Sequence, residues 1–320
     1  MSHVASLDIV QTDIRRVEER MYAQANEHHP ELQAALKHLV VSGGKRVRPA
    51  LTLLVGEMLE GEKERLITLA AAIEMLHTAT LVHDDLIDGS LLRRGIPTLN
   101  AQWSPGATVL TGDFIFAKAA RLAAETDSVR VMRLFAETLA VIVNGEITQM
   151  FSSQGLASRE DYYQRIYAKT ASMFELAATA AAELSPVSES VLSAMQRFGY
   201  EIGMAFQIVD DILDFTGEQE RVGKPVANDL RHGLITLPAL YYYEAHPDDE
   251  RMEAVINTGI NDKEIEELIS DIRQSSAVKQ ALVEARNFAE RGVAELEILP
   301  NNQARSAVIE VAYYIVDREL

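Results

Sequence analysis

Apolar residues recur along the chain at the three- and four-residue spacing of amphipathic helices. The segments 66–88 and 130–150 are long, rich in Ala and Leu and free of proline, and the only glycine in them is Gly145, near the end of the second. Several segments are apolar on nearly every side, which is typical of helices in the centre of a protein. No run alternates polar and β-branched residues, and no Asn-Gly or Asp-Gly pair connects two such runs. The pattern predicts an all-α protein.

Proline positions mark the boundaries between the predicted helices. Pro49 and Pro238 fit the first turns of new helices, where a missing N–H is tolerated. The other prolines lie between periodic blocks, at Pro30, Pro97, Pro105, Pro186, Pro225, Pro247 and Pro300. No low-complexity linker or change of composition divides the chain. We therefore predict a single all-α domain over residues 1–320, built from roughly a dozen helices.

The composition narrows the possible classes of function. The chain has 30 Lys and Arg against 48 Asp and Glu, a formal charge of −18, so no basic stripe is available for nucleic acid. It contains no Cys, which excludes disulfides, thiolate metal sites and a Cys nucleophile. The first residues do not resemble a secretory signal, no run of 18 apolar residues occurs, and the mean hydropathy is −0.03. We expect a soluble, cytoplasmic protein that does not span a membrane.

Two short segments place three aspartates at the same spacing in apolar helical surroundings: LVHDDLIDGS at 81–90 and QIVDDILDFT at 207–216. In each motif the first and third aspartates share one helix face, and the second flanks it. The six residues are Asp84, Asp85, Asp88, Asp210, Asp211 and Asp214. Because clustered carboxylates repel one another and lose hydration, they need a compensating cation. Mg²⁺ prefers carboxylate oxygens and completes its shell with phosphate, so two such clusters facing each other would hold a cation-bridged polyphosphate.

Other interpretations of these acidic segments are weaker. A single triplet is also typical of a solvated helix end, although the second copy argues against this. An EF-hand loop counted from Asp84 would place Leu86 and Gly95 where oxygen ligands are needed. A di-iron bundle requires Glu-x-x-His on two helices, and only Glu74 and His77 have that spacing.

Basic residues lie near the same acidic segments. GGKRVRP at 43–49 predicts a glycine-hinged turn into a helix, where Lys45 and Arg48 could bind an anion; a basic helix start on a solvated surface is the alternative. Arg93 and Arg94 follow the first motif and suit either salt bridges to the aspartates or a second diphosphate. Lys169 with Thr170, and Lys224, are by themselves more typical of a solvated surface.

The chain resembles the trans-isoprenyl diphosphate synthases (polyprenyl synthetases) through most of its length. The resemblance is carried by GGKRVRP, HTATLVHDDLID, RRG, GDF, KT, FQIVDDILDF and GKPVANDL, in this order. It implies a helical bundle of the isoprenoid synthase type with a central elongation cavity, and in most members a homodimer. It also implies Mg²⁺-dependent, head-to-tail condensation of isopentenyl diphosphate with an allylic diphosphate, such as farnesyl or geranylgeranyl diphosphate.

The resemblance assigns roles to individual residues. The diphosphate of isopentenyl diphosphate would be held by Lys45, Arg48, His77 and Arg94. Asp84, Asp88 and Asp210 would bind about three Mg²⁺ ions on the allylic diphosphate, with Asp85, Asp211 and Asp214 as supporting groups. That diphosphate would also be bound by Arg93, Lys169 and Lys224, while Thr170 and Gln207 would steady the carbocation. The chain departs from the family pattern at Leu234, where many members have lysine.

The helix that carries Asp84 is expected to form a wall of the pocket for the growing chain. Ala79 and Thr80 are small where aromatic residues stop elongation in short-chain members of the family, and Leu76, Met75 and Ala72 follow on the same face. One helical turn of about 5.4 Å matches roughly one isoprene unit. We therefore predict an all-trans product longer than C15, of the medium or long quinone side-chain type. Phe135 is a candidate floor of this pocket, and an ordinary core residue is the alternative.

Other functions remain as alternatives: a geranylgeranyl diphosphate synthase, a class I terpene cyclase, or a non-catalytic subunit of a heteromeric synthase. A cyclase usually has an Asn/Ser/Glu-type second metal motif, and a non-catalytic subunit typically lacks the first aspartate motif. Membrane prenyltransferases share paired aspartate motifs but need several membrane-spanning helices, which the sequence does not predict.

Overall fold

The structure is a computed structural model of the chain, and it describes residues 5–26, 29–41, 44–93, 95–151, 158–217, 226–257 and 259–317. Its described part is almost entirely helical, which confirms the predicted all-α class. The α-helices are α1 (Gln11–Ala23), α2 (Pro30–Val41), α3 (Val47–Met58), α4 (Lys63–Ile87), α5 (Leu99–Gln102), α6 (Pro105–Ala124), α7 (Val129–Phe151), α8 (Arg159–Ile166), α9 (Ser172–Glu183), α10 (Glu189–Thr216), α11 (Asn228–Arg231), α12 (Leu237–Ala245), α13 (Glu250–Asn257), α14 (Asp262–Gln274), α15 (Ala277–Glu295) and α16 (Gln303–Asp317). Short 3₁₀-helices cover Ala5–Val10 and Leu296–Ile298, and a π-helix covers Tyr167–Ala171.

Side-chain caps fix several helix starts, as the sequence dictates. Glu62 accepts hydrogen bonds from two backbone N–H groups at the start of α4, and Ser104 caps α6, which has a proline in its first turn. Full capping boxes begin α8 at Ser158 and α14 at Asn261. The predicted positions of Pro49 and Pro238 in first turns are confirmed.

Helix α4 is a long and deeply buried helix, and it ends in the first aspartate motif. Every residue from Leu66 to Leu76 is buried, in agreement with a sequence that is apolar on nearly every side. By length and composition alone α4 could cross a membrane, but 72% of its most apolar window is buried inside the protein. Such burial is typical of a core helix.

Two local features differ from the sequence-based prediction. A short antiparallel hairpin pairs β1 (Leu92–Arg93) with β2 (Ile96–Pro97), with Gly95 at φ +75° in the turn between them. The π-helix follows α8 directly and interrupts the α-helical geometry at the Lys169-Thr170 pair. Both features lie beside predicted site residues.

Contacts divide the chain into two compact units. The first contains Met1–Thr138, Met173–Gly199 and Leu296–Val311, and the second contains Leu139–Ser172, Tyr200–Glu295 and Ala312–Leu320. The first aspartate motif belongs to the first unit and the second motif to the second. The single-domain organisation, and a cavity onto which both motifs face, stay predictions.

Candidate active site

The first aspartate motif lies at the C-terminal end of α4, as its spacing predicts. Asp84 is half-buried, whereas Asp88 is exposed at the C-cap, where its backbone N–H donates to the Asp84 carbonyl at 2.8 Å. Asp85 is buried, and Arg93 from the hairpin donates through Nε to both of its carboxylate oxygens, at 2.9 and 3.0 Å. Arg93 Nη2 lies 2.8 Å from Asp85 Oδ1. The two outer aspartates are therefore the accessible ones, and the middle one holds an arginine.

The basic turn before α3 forms the helix start that the sequence predicts. Helix α3 begins at Val47, and its N-cap residue, Arg46, adopts a left-handed conformation with φ +49° and provides no side-chain cap. Lys45 is exposed, and the Arg48 guanidinium lies 5.0 Å from the centre of the Phe174 ring. Lys45 and Arg48 thus flank a helix N-terminus, which favours anions.

Arg46 is a structural residue that the sequence analysis did not single out. Its side chain is buried, and it donates from Nη1 to Glu74 Oε1 at 2.8 Å and from Nε to Glu18 Oε1 at 3.0 Å. Glu74 lies one turn before His77 on α4. The two signals that could have identified this pair are a glutamate inside an apolar helix and an extra arginine in the glycine-rich turn.

A cavity of about 70 Å³ brings several predicted site residues of the first unit together. Its lining includes Gly44, His77, Asp85 and Arg93, with the Arg46–Glu74 pair beside them. The basic turn, the core of α4 and the hairpin thus contribute to one pocket with both charge signs. Arg93 and His77 thus line the same cavity as Asp85 of the first motif, and their roles in binding diphosphate stay predictions.

The second aspartate motif lies near the C-terminal end of α10, and its middle residue is again the buried one. Asp211 is 4% exposed and accepts hydrogen bonds from the Tyr162 hydroxyl and from Gln207 Nε2, each at 2.8 Å. Gln207 Oε1 accepts a hydrogen bond from the Thr170 hydroxyl at 2.6 Å. Burial raises the pKa of Asp211 to about 7, although the hydrogen bonds from Gln207 and Tyr162 act in the opposite direction. The predicted pair Thr170 and Gln207 is therefore in direct contact.

The third aspartate of the second motif accepts hydrogen bonds from the backbone at the start of α11. Asp214 accepts backbone hydrogen bonds from Asn228 at 3.2 Å and from Asp229 at 3.1 Å, at the start of α11. The backbone N–H of Leu234, the departure from the family pattern, donates to the Asp229 carbonyl at 2.9 Å. Asp210, at the start of the motif, is half-buried.

Lys169 and Thr170 lie on the π-helix. Lys169 is exposed, with its Nζ 3.5 Å from Glu146 Oε1, whereas Thr170 is buried. Two other predicted diphosphate-binding residues, Arg94 and Lys224, lie outside the described residues.

The predicted wall of the elongation pocket is part of the buried face of α4. Leu76 and Ala79 are fully buried, and the half-buried Thr80 donates its hydroxyl to the His77 carbonyl at 2.8 Å. Phe135 is also buried, and its ring meets that of Phe116 edge to face at 6.3 Å. Their burial agrees with either a wall or an ordinary core, so the wall stays a prediction.

The donor chemistry of the motifs suits a hard divalent cation. Asp84 and Asp88 offer carboxylate oxygens one turn apart in the first motif, and Asp210 offers carboxylate oxygens in the second. Within the described part of the chain, no three His, Asp or Glu side chains form a preassembled metal-binding group. Mg²⁺ typically needs only one or two carboxylates when substrate phosphates and waters complete its shell, so the carboxylates of each motif taken by itself fit it.

Comparison with known proteins supplies the family. The family model for polyprenyl synthetase matches residues 29–272. The octaprenyl diphosphate synthase of Haemophilus influenzae is 35% identical over 310 residues, which are 96% of this chain and 94% of that protein. The heptaprenyl diphosphate synthase component 2 of Geobacillus stearothermophilus is 34% identical over 98% of both chains.

A solved structure agrees with this assignment. The polyprenyl synthase of Caulobacter crescentus CB15, crystallised with calcium and isoprenyl diphosphate, has a TM-score of 0.92 at 33% identity. The match covers 99% of this chain and 98% of that one. Sequence and fold therefore agree over nearly the full length, and the chain belongs to the polyprenyl synthetase family of prenyltransferases.

Proposed function

We propose that the protein condenses isopentenyl diphosphate head-to-tail with an allylic diphosphate and releases an all-trans polyprenyl diphosphate longer than C15. Relatives at 33–35% identity are named octaprenyl, heptaprenyl and solanesyl diphosphate synthases, which supports a medium or long product. The small residues Ala79 and Thr80 on α4 support the same conclusion. Farnesyl and geranylgeranyl diphosphate are the expected primers.

The observation that carries this proposal is the shared design of the two aspartate motifs. In each, the first aspartate is half-buried, and the second is buried and held by neighbouring donors. Asp84, Asp88 and Asp210 are thus the residues that would hold Mg²⁺. When bound, Mg²⁺ would stabilise the negative charge that develops on the leaving diphosphate.

The chain's own residues would do the remaining work. Arg93 and Lys169, with Arg94 and Lys224 as implied by the family, would bind diphosphate oxygens and stabilise the charge released when the allylic C1–O bond breaks. Thr170 and Gln207 would direct oxygen dipoles at the cation without attacking it. Lys45, Arg48 and His77 would orient isopentenyl diphosphate, whose double bond attacks C1. A proton then leaves C2 and is taken up by the departing diphosphate.

A homodimer is also proposed, and an exposed apolar stripe on α7 supports it. Four apolar side chains at helical spacing on one face of α7 are 47 to 82% exposed: Val143, Ile147, Met150 and Phe151. Contiguous exposed apolar residues of this kind mark interaction surfaces. Function in the cytoplasm is proposed from the acidic, Cys-free composition.

The decisive experiment incubates the purified chain alone with Mg²⁺, isopentenyl diphosphate and primers of several lengths, and measures product mass. We expect a polyprenyl diphosphate beyond C20, formed only when isopentenyl diphosphate is present, and no turnover with a chelator. A product that stops at C20 would indicate a geranylgeranyl diphosphate synthase. Consumption of the primer alone would indicate a cyclase, and inactivity of the chain alone would indicate a subunit of a heteromeric enzyme.

A matched pair of variants tests the first motif. Asp84→Ala should lower the rate by about three orders of magnitude, because a metal-binding carboxylate is lost. Asp248→Ala, at an exposed turn, makes the same chemical change and should leave the rate unaltered. Near-normal product formation by Asp84→Ala would contradict the proposed metal site.

A further inference from the structure

Tyr162 is a fully buried tyrosine on α8 that has no part in the predicted site. Its side chain is 0% exposed, and its hydroxyl donates to Asp211 Oδ2 at 2.8 Å. A buried tyrosine hydroxyl needs a polar partner, and here that partner is the middle aspartate of the second motif. Tyr162 therefore connects α8 to the end of α10 that carries the motif.

The hydrogen bonds that continue from Asp211 have a fixed direction. Tyr162 and Gln207 both donate to Asp211, so the amide of Gln207 turns its NH₂ group toward Asp211 Oδ1. The carbonyl oxygen of Gln207 then faces Thr170, whose hydroxyl has to donate, at 2.6 Å. The Thr170 hydroxyl proton is thus bound to Gln207 Oε1. The lone pairs of the Thr170 oxygen are therefore directed away from Gln207.

The direction of these hydrogen bonds determines how the Thr170 hydroxyl would interact with the positively charged carbocation. A hydroxyl oxygen whose proton is engaged presents the negative end of its dipole to its surroundings, whereas a free hydroxyl can turn its proton outward. Without the Tyr162 hydroxyl, the buried Asp211 lacks one of the two side-chain donors that the described residues supply, and it has to draw compensation from its other partners. The next groups along this path of hydrogen bonds are Gln207 and then Thr170. Loss of the Tyr162 hydroxyl would therefore change the orientation of both side chains.

We propose that Tyr162 is a positioning residue for the condensation, acting through Asp211 and Gln207 to set the direction of the Thr170 hydroxyl. The inference rests on the proposed role of Thr170 and Gln207 in steadying the carbocation. All four side chains belong to the same compact unit, and their contacts form one continuous path.

The test is the Tyr162→Phe variant, which removes the hydroxyl and keeps the ring. Its single-turnover rate for the first condensation should fall about tenfold, with KM for both diphosphates within about twofold of wild type. The matched control is Tyr163→Phe, which also keeps its ring: that ring packs against Tyr162 at 5.6 Å and Phe288 at 6.0 Å, but the Tyr163 hydroxyl makes none of the hydrogen bonds of the path. Tyr163→Phe should keep the wild-type rate.

A double-mutant cycle distinguishes positioning from general stabilisation. Thr170→Val removes the last group of the path, so adding Tyr162→Phe to it should lower the rate by no more than about twofold further. A full tenfold loss in the Thr170→Val background would show independent action and overturn the inference. If the wild-type enzyme forms product and Tyr162→Phe forms it at the same rate, the inference is also overturned. The proposed function would then be unaffected. A wild-type chain that condenses no isopentenyl diphosphate would refute the proposed function, and this inference with it.

Discussion

A single methyl group at Gly203 should separate the two helical segments that carry Thr170 and Gln207. Gly203 lies on α10, one turn before Gln207, against the π-helix residue Ala171. A Cβ placed there would lie 2.5 Å from Ala171 Cα and 2.9 Å from its carbonyl oxygen. Ordinary contacts begin at 3.4 Å, and backbone atoms cannot rotate away as a flexible side chain can. One segment must therefore move by about 0.9 Å.

The expected magnitude follows from this displacement. Overpacking of this kind costs about 1–3 kcal/mol of unfolding free energy. The same movement would stretch the 2.6 Å hydrogen bond from Thr170 to Gln207 toward 3.5 Å, the limit for such a bond, at a further cost of about 1 kcal/mol. For a protein of this size, Gly203→Ala should therefore lower the melting temperature by roughly 5 °C. Because Gln207 loses its hydrogen bond from Thr170, the rate of the first condensation should fall about tenfold.

Calorimetry and a single-turnover assay measure these two effects. Gly106→Ala on α6 is the matched control, because a Cβ there meets no atom within 4 Å. This control should lose neither stability nor rate, since alanine is the better helix former. If Gly203→Ala melted and reacted like wild type, the close approach of α10 to the π-helix would not constrain the site, and our reasoning would be wrong.

Three further changes test other parts of the molecule. Ala79→Tyr should shorten the product, because a large ring replaces a fully buried methyl group on the proposed wall; an unchanged product mass would refute the wall. Arg46→Met should reduce the unfolding free energy in urea by about 3–5 kcal/mol, because Glu74 keeps a buried charge without its partner. The double variant with Glu74→Leu should regain most of this loss, and a double variant as unstable as Arg46→Met would refute the ion-pair account. The Arg251 side chain lowers the pKa of Asp249 to about 2, so the ionised carboxylate stabilises the fold above pH 4, and this stabilisation is lost as the pH falls toward 2. Asp249→Asn should cost about 2 kcal/mol at pH 7 and clearly less at pH 3, and a penalty independent of pH would exclude this cause.

The sequence was sufficient for the helical class and for the local geometry of the motifs. Helical periodicity depends on residues a few positions apart, and so do the one-turn spacing of Asp84 and Asp88 and the proline-marked helix starts. The hairpin at 92–97 escaped prediction because two-residue strands are too short to show a period of two. The five-residue π-helix is likewise too short to differ from an α-helix in its hydrophobic pattern.

The partners of individual side chains were beyond the reach of sequence pattern. Tyr162 meets Asp211 across 49 positions of sequence, and Arg46 meets Glu74 across 28. These pairings arise from helix packing, which no local spacing encodes. They also explain why two identical Asp-Asp-x-x-Asp motifs have different neighbours: Asp85 holds an arginine, and Asp211 holds a glutamine and a tyrosine.

The contact between Arg93 and Asp85 has an entropic consequence for anion binding. A free arginine side chain loses about 2 kcal/mol of rotational freedom when it becomes fixed. Arg93 is already fixed by a buried carboxylate that engages its Nε and Nη2 edge. A diphosphate that binds the rest of this planar guanidinium would find it preorganised, so more of the interaction energy would appear as affinity.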